Sequence, residues 1–498
     1  MMFATLPPNS PRPVRVRLAP SPTGNLHVGT ARTALLNYLF AKHNNGTYIL
    51  RIEDTDMERS TEAFTQNIFD GLRALSLPWD EGPDVGGNYG PYKQSERLHL
   101  YQPYAEQLLA SGHAYWDYTN NEELEALRTA ATEAKQPFVY RPAPLTPEQE
   151  AAYQADPTRK PSLRLRIPAD RGTIVVNDLI RGEVQFDAST IGDFVIVKSD
   201  GMASFNFANV IDDALMAISH VIRGEDHLPN TPKHRLLYEA LGFPVPAFAH
   251  LPMILAPDRS KLSKRHGATA VAQYIDEQGY LPEAFINFLA LLGWSSPTGE
   301  ELLSLEQLIE QFTLERVNHS GAIFDTDKLN WMNGQYLRAL PLSELDAKLR
   351  PILEARFAPE RYYNTEQWHL LLSVVRDSLV RLPDINALVG YFFGESVVID
   401  ADTFTNVLQN EESTPILQTA LNEWLPSVDF GSVEGVQASL KVLTKQLLSQ
   451  YKVKPIMWAL RASCTGTVQG ADLPTTLYLL GSQRVEHRLK EALHRLAV

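Results

Sequence analysis

Cysteine is nearly absent from this chain, since Cys464 is the one cysteine among 498 residues. A single cysteine excludes an internal disulfide and suits a reducing compartment, so we expect the protein to be cytoplasmic. The sequence has no run of the roughly 18 apolar residues that span a bilayer. Its first residues, MMFATLPPNSPRP, contain neither the basic nor the apolar region of a secretory signal. We therefore expect no membrane-spanning segment and no secretory leader.

An excess of positive charge is also missing, because 45 lysines and arginines face 59 aspartates and glutamates, for a net charge of −14. This balance does not exclude RNA as a partner, since phosphate contacts need only a local basic surface. The hydrophobic fraction of 44% and the charged fraction of 21% are those of an ordinary globular protein. At roughly 100–200 residues per domain, the length corresponds to about three to five domains.

The first segment of the chain predicts a βαβ unit. Residues 14–19 (VRVRLA) alternate as in a strand, and the turn-forming PSPTGN follows. Apolar residues then recur at helical spacing from Ala31 to Leu39, and YILRI predicts the next strand. Such a unit implies a parallel sheet, whose ligands bind beyond the carboxyl ends of the strands.

A first motif, PSPTGNLHVGTAR (20–32), lies at the expected ligand edge of this sheet. Gly24 and Gly29 remove side chains where phosphate or adenine must approach the backbone. A helix that begins near Leu26 offers unpaired N–H groups to an anion. His27 can donate a hydrogen bond to phosphate oxygens as charge develops at the α-phosphorus. Taken alone, a His-X-Gly sequence is more often simply the start of a helix.

A second motif, KLSKR (261–265), follows the turn-forming APDRS. Lysine carries a compact charge with mobile donors, which suits the stabilisation of a leaving pyrophosphate. We predict Lys264 as the phosphate ligand, with Lys261 and Arg265 supporting loop closure. Any such pentapeptide is more often a solvated basic loop. The two motifs together, in this order, predict one ATP site assembled from two distant segments.

These motifs resemble the His-Ile-Gly-His and Lys-Met-Ser-Lys-Ser motifs of class I aminoacyl-tRNA synthetases, with His27-Val28-Gly29-Thr30 as the first. Further segments resemble the glutamyl-tRNA synthetases in particular, and in the family's order: RIEDTD (51–56), PYKQSER (91–97), DGMASFNFANVIDD (200–213), VIRGEDH (221–227) and IFDTDKLNWMNGQY (323–336). The resemblance covers about two-thirds of the chain.

The resemblance implies a set of site residues. For glutamate these are Arg17, Ala19, Ser21, Glu53, Phe205, Asn209 and Arg223, with Glu53 holding the ammonium and Arg223 facing a carboxylate. For ATP they are Gly24, His27, Gly29, Asp226, Ile254 and Lys264, and the catalytic set is His27, Thr30, Lys261, Lys264 and Arg265. An arginine fork suits a carboxylate, and a buried acid can accept from an ammonium.

The chain departs from the family's pattern at three places. Thr30 replaces the second histidine of the motif, and Phe205 stands where the family often has tyrosine. Asp117 and Thr119 lie in the segment where some relatives carry zinc-binding cysteines, so we expect no zinc site. Magnesium bound with ATP is the expected cofactor.

The resemblance also implies an architecture. A Rossmann-type α/β catalytic domain (1–93 and 201–258) is split by an α+β acceptor-end insertion (94–200). A stem-contact domain with the KLSKR loop (259–340) and two all-helical anticodon-binding domains (341–391 and 392–498) follow. Helical spacing beyond residue 340 agrees, and it disfavours glutaminyl-tRNA synthetases, whose anticodon domains resemble β-barrels. The length disfavours the short glutamyl-queuosine paralogues.

The implied activity is glutamate–tRNA ligation, in which ATP activates L-glutamate and the 3′-terminal adenosine of tRNA(Glu) accepts it. Two alternatives differ in class. A nucleotidyltransferase with the same histidine motif would have no use for the helical third, and a non-catalytic RNA-binding homologue would be expected to lack His27 or Lys264. The sequence leaves tRNA(Gln) open as a second substrate, and we expect a monomer without a membrane partner.

Overall fold

The computed structural model describes residues 13–56, 58–359 and 362–497. The chain divides into two compact units. The first comprises the described part of Met1–Ile275 together with Phe285–Thr326, and the second comprises Asp276–Ala284 with the described part of Asp327–Val498. The division therefore falls close to the point where helical patterning begins in the sequence.

All the strands lie in the first unit. They are β1 (Arg15–Leu18), β2 (Thr47–Leu50), β3 (Ala114–Asp117), β4 (Ser162–Leu165), β5 (Thr173–Asp178), β6 (Gly182–Asp187), β7 (Phe194–Val197), β8 (His220–Gly224), β9 (Ala247–Leu251), β10 (Ile254–Leu255) and β11 (Ala322–Ile323), as far as the chain is described.

Helices occur in both units. They are α1 (Val28–His43), α2 (Glu62–Ala74), α3 (Leu98–Ala110), α4 (Asn121–Glu133), α5 (Pro147–Ala155), α6 (Phe205–Leu215), α7 (Thr231–Leu241), α8 (Pro282–Leu291), α9 (Leu305–Gln311), α10 (Thr326–Ala339), α11 (Leu342–Glu354), α12 (Thr365–Val375), α13 (Ile385–Val389), α14 (Ala401–Thr403), α15 (Ser413–Thr419), α16 (Val433–Leu447), α17 (Val453–Thr465) and α18 (Leu473–Ala497). Within the described ranges, none of them combines the length and apolarity needed to cross a membrane.

Strand β1 is buried on both faces although every second residue is an arginine. Val16 and Leu18 supply the apolar face, while Arg15 pairs with Glu81 and Arg17 pairs with Asp213. A charge is tolerated inside a protein when it is paired and hydrogen-bonded. The strand therefore alternates between arginine and apolar residues although neither face is exposed to solvent. β1 runs parallel to β2 with α1 between them, which confirms the predicted βαβ unit.

A second sheet has the order β6-β5-β9-β8, with β5, β9 and β8 parallel. The backbone N–H of Ser219 donates to the carbonyl of Arg15 at 2.9 Å and so joins β8 to β1. The carboxyl ends of β1, β2, β8 and β9 consequently meet at one edge. Strands β5 and β6 come from the segment predicted as the insertion, yet they extend this sheet.

The described second unit is all-helical, which confirms the helical prediction for the last third of the chain. Helix α16 shows the reason, because Val436, Leu440, Leu443 and Leu447 recur at intervals of one helical turn and are all buried. Leu460, on α17, lies in the same core of this unit.

Candidate active site

A cavity of about 640 Å³ opens where the parallel strands end. Thirteen of the predicted residues line it: Arg17, Ala19, Ser21, His27, Gly29, Thr30, Glu53, Phe205, Asn209, Arg223, Asp226, Ile254 and Lys261. Gly24 and Arg265 do not line it, and a Cβ on Gly24 would meet no atom within 4 Å. The segments that the sequence predicted to share a ligand are thus adjacent in the fold.

His27 caps the amino end of α1. Its Nδ1 accepts from the backbone N–H of Gly29 at 3.1 Å, which satisfies one of the unpaired donors at a helix start. In a neutral imidazole whose Nδ1 is an acceptor, the proton lies on Nε2. The ring therefore presents a donor on its other side, as the predicted phosphate contact requires.

The KLSKR segment pairs with the wall of the cavity. The backbone N–H of Leu262 donates to the carbonyl of Ile254 at 3.1 Å. The side chain of Lys261 is 64% exposed, and its Nζ lies 3.4 Å from the carboxylate of Asp226. Arg265 instead donates to Ser260 and to the adjacent ring at 266. Lys264 begins a 3₁₀ turn, but its side chain lies outside the described part of the structure.

Arg17 is bound in a fork by a carboxylate that the sequence analysis did not identify. Its Nε and Nη2 donate to the two oxygens of Asp213 at 3.0 and 3.1 Å. Asp213 also accepts from Arg51 at 2.7 Å. Burial alone would raise the pKa of Asp213, but the two arginines hold it below its ordinary value. Asp213 therefore neutralises Arg17 before any ligand is bound.

Glu53 pairs with Arg51 through Nη2, whereas Asp213 pairs with it through Nη1. Its Oε1 accepts from Arg51 at 3.0 Å and from the amide of Asn209 at 2.7 Å. Neither of these bonds uses Oε2. Burial raises the pKa of Glu53 although Arg51 opposes the shift. The Oδ1 of Asn209 is buried without a hydrogen-bond partner in the described residues. Two acceptor oxygens on one wall suit an ammonium group.

Arg223 has a different environment from Arg17. Its guanidinium donates to His250, Thr231 and His234, and no carboxylate within the described ranges forms an ion pair with it. Burial, and then the nearby charge of Arg17, lower the pKa of Arg223 to about 10, so it stays charged at neutral pH. A buried cation without a counter-charge is costly, and an anionic ligand would compensate it.

Arg32 also lines the cavity and was not predicted. Its Nη1 donates to the carbonyl of Pro252 at 2.6 Å, while its Nε and Nη2 are buried without a partner among the residues described. Burial lowers the pKa of Arg32 to about 10, against the influence of Glu225. The motif continues to this residue in the sequence, so its place within PSPTGNLHVGTAR was the available signal.

The segment predicted as the insertion carries a polar cluster around Asp117 and Thr119. Asp117 accepts from Arg164 at 2.5 Å and from the hydroxyl of Tyr140 at 3.0 Å. The hydroxyls of Thr119 and Tyr140 are 2.7 Å apart. In the described ranges, no group of three or more His, Cys, Asp or Glu side chains could hold a metal ion.

Comparison with known proteins gives concordant results. A sequence profile described as "tRNA synthetases class I (E and Q), catalytic domain" matches residues 13–331, and one described as "Anticodon binding domain" matches residues 344–493. The chain is 46% identical to a glutamate–tRNA ligase of Carboxydothermus hydrogenoformans over 481 residues, which is 96% of this chain and 99% of that protein. It is also 46% identical to the glutamate–tRNA ligase of Moorella thermoacetica, over 96% of this chain and 98% of that protein.

A solved structure agrees over the whole length. The crystal structure of a glutamate tRNA ligase from Elizabethkingia meningosepticum in complex with its amino acid superposes with a TM-score of 0.88 at 35% identity. The match covers 97% of this chain and 100% of that chain.

Proposed function

Because the chain belongs to the class I tRNA synthetases of the glutamate and glutamine group, we propose that its cavity holds ATP beside glutamate through the residues described above. The activity is glutamate–tRNA ligation. A carboxylate oxygen of glutamate attacks the α-phosphorus of ATP, and the bond to pyrophosphate breaks. A hydroxyl of the tRNA's terminal adenosine then attacks the mixed anhydride, forms the ester and releases AMP. No enzyme nucleophile takes part in this sequence.

Arg223 carries the assignment of the amino-acid pocket. Like Arg32, it is a buried guanidinium of the cavity lining that forms no ion pair with a carboxylate of the described chain, but it lies near Arg17 and the glutamate residues rather than within the first ATP motif. The side-chain carboxylate of glutamate supplies the missing charge, whereas the amide of glutamine cannot. Arg17 also lines the cavity, but Asp213 already balances the charge of its guanidinium. Selection for glutamate is therefore assigned to Arg223 rather than to both arginines equally.

The ammonium of the substrate is assigned to the opposite wall. Glu53 offers a negative charge, and Asn209 offers an acceptor that has no partner among the described residues. Both are held by side chains of the same network, so their positions are set before the ligand arrives. Preorganised groups lose little entropy when they bind, which favours affinity.

ATP is assigned to the side of the cavity formed by His27, Gly29, Asp226 and Ile254. In-line transfer needs positioning and cations at the phosphates, and Lys264 is proposed as one of these. The residues fit a magnesium ion carried by the nucleotide, because Mg²⁺ is usually held by phosphate oxygens and water with one or two carboxylates. Asp226 is half-exposed at the cavity and would serve as such a carboxylate. When bound, the ion would neutralise phosphate charge.

The proposed RNA substrate is tRNA(Glu), and the proposed working form is a monomer. The test is charging of purified tRNA(Glu) and tRNA(Gln) with glutamate or glutamine by the wild type and by Arg223→Ala. We expect wild-type charging with glutamate alone, and a loss in the variant of roughly 2–5 kcal/mol in kcat/KM, because a buried charge pair loses one partner. Equal kcat/KM for glutamate and glutamine in the wild type would contradict the pocket assignment. Glutamate attached to tRNA(Gln) would show that the enzyme accepts both RNAs.

A further inference from the structure

A buried hydrogen-bond chain leads from Asp178 to Arg223. Asp178 is the last residue of β5, and its Oδ2 lies 2.6 Å from Nδ1 of His250. Nε2 of the same ring accepts from Nε of Arg223 at 3.2 Å. The side chains of Asp178 and His250 are fully buried. Neither Asp178 nor His250 lines the cavity, so this hydrogen-bond chain acts on the substrate through Arg223.

The geometry determines which ring nitrogen carries the proton. A carboxylate can only accept, so Nδ1 of His250 must donate to Asp178, and Nε2 of a neutral ring is then an acceptor. The acceptor faces an arginine N–H, which requires this tautomer. Burial lowers the pKa of His250, so the ring is neutral at pH 7. Asp178 thereby fixes the ring in the form that Arg223 needs.

The other hydrogen-bond partners of Arg223 are neutral as well. Its Nη2 donates to the hydroxyl of Thr231 at 2.9 Å, and its Nη1 lies 3.4 Å from Nδ1 of His234. The Nε2 of His234 lies 3.0 Å from the amide oxygen of Asn206, so that ring also presents an acceptor to the arginine. Burial, with the charge of Arg223 next, keeps the pKa of His234 well below its ordinary value. Arg223 is held firmly but its charge is not cancelled.

We infer that Asp178, acting through His250, is a positioning residue that holds Arg223 in place while leaving its charge for the substrate carboxylate. A carboxylate in direct contact would hold the guanidinium equally well, as Asp213 holds Arg17, but would neutralise it and weaken selection against glutamine. A neutral imidazole placed between them separates the two functions. This inference rests on the proposed role of Arg223 in the glutamate pocket.

The substitution Asp178→Asn tests the inference through atoms already assigned. Oδ1 of Asp178 accepts from the backbone N–H groups of Ile180 and Arg181 at 3.0 and 2.9 Å. An asparagine would keep its oxygen there and present its NH₂ to Nδ1 of His250. The ring would then carry its proton on Nε2, which would donate to the Thr231 hydroxyl 3.0 Å away and would no longer accept from Arg223.

We expect Asp178→Asn to raise the KM for glutamate about 10- to 100-fold, by analogy with the loss of partners that orient a ligand. The KM for ATP should stay within about twofold, and the preference for glutamate over glutamine should fall. The double variant Asp178→Asn with His250→Gln should recover part of the glutamate KM, since a glutamine side chain can turn its oxygen to Arg223. A general folding defect would not be rescued by a second core substitution.

Pyrophosphate exchange at saturating tRNA gives the KM values for glutamate and ATP, and thermal unfolding of each variant gives the folded fraction. An unchanged glutamate KM in folded Asp178→Asn would overturn the inference. Should the variant not fold, ¹⁵N spectra of histidine-labelled wild type decide, because the inference requires the proton of His250 on Nδ1 and a proton on Nε2 would refute it. Failure of the wild type to attach glutamate to tRNA(Glu) would instead refute the proposed function.

Discussion

Val28 donates its backbone N–H to the carbonyl oxygen of Thr269 at 2.9 Å, and the N–H of Val271 donates to Leu26 at the same distance. Val28 is the first residue of α1, and Thr269 follows closely on KLSKR. The two predicted ATP motifs are therefore joined by main-chain bonds, which do not depend on side-chain identity.

Removing the Val28 amide hydrogen should weaken ATP binding. Proline lacks this donor but is tolerated at the first position of a helix, and the extended backbone of His27 (φ −82°, ψ 148°) suits a following proline. We expect Val28→Pro to raise the KM for ATP about 3- to 10-fold, the effect of one hydrogen bond. Val28→Ala is the control, because it also removes the branched, buried side chain but keeps the N–H. Equal effects of the two substitutions would show that packing alone is responsible.

Lys264→Ala should reduce the rate of the activation step much more than ATP affinity. Loss of one preorganised charge costs roughly 2–4 kcal/mol, or about 30- to 1000-fold in kcat. Single-turnover formation of the adenylate measures this step directly. The matched control is Lys261→Ala, whose exposed side chain lies near Asp226 and should have a smaller effect. An unchanged single-turnover rate in Lys264→Ala would assign the loop another role.

Glutamate binding should weaken in mild acid because Glu53 must be ionised to hold an ammonium. Burial raises the pKa of Glu53, so protonation begins at a higher pH than for an ordinary glutamate. The KM for glutamate is expected to rise as the pH falls through this raised pKa. The effect of this proton on stability is opposite to its effect on binding. The folded state binds the proton more readily than the unfolded chain does, so the contribution of Glu53 to the free energy of unfolding increases as the pH falls, and Glu53 does not promote acid unfolding.

The matched variant is Glu53→Gln, which should have a high glutamate KM at every pH and no acid-dependent rise. Titration of KM from neutral to acidic pH, with ATP saturating, makes the comparison. A pH profile that is the same in both proteins would mean that another group is responsible.

The enzyme should be active without zinc. Asp117 and Thr119 bond to Arg164 and Tyr140, and this arrangement contains no thiolate. Dialysis against a strong zinc chelator, followed by magnesium, is expected to restore full charging activity. Elemental analysis of the untreated protein provides the check, since one zinc per chain would contradict the prediction.

The spacing of apolar residues predicted those helices and strands whose pattern lies within a short stretch of sequence. The alternation of β1, the helical spacing of α1 and the stripe of α16 are all properties of neighbouring residues. Strand β6 was not predicted, because GEVQFD contains only two apolar residues, Val184 and Phe186, and none of its six residues is fully buried.

The pairings of the site could not be predicted in the same way. Asp213 of α6 meets Arg17, and Asp178 of β5 meets His250, only after segments that are distant in the sequence have come together. One signal was present: the adjacent acids of FNFANVIDDAL interrupt an otherwise apolar helix, and such buried carboxylates require cationic partners. The sequence indicates that a partner exists but not which arginine it is.

The parallel contact between Asp178 of β5 and Phe248 of β9 makes the segment 94–200 less separable than its sequence suggests. A chimera that exchanges this segment with that of a relative would also exchange a sheet strand and the residue beneath His250. From the inferred role of Asp178, we expect grafting at these boundaries to alter amino-acid selection along with any change in RNA contact. A module intended to be replaced without that effect would have to leave β5 and β6 with the recipient.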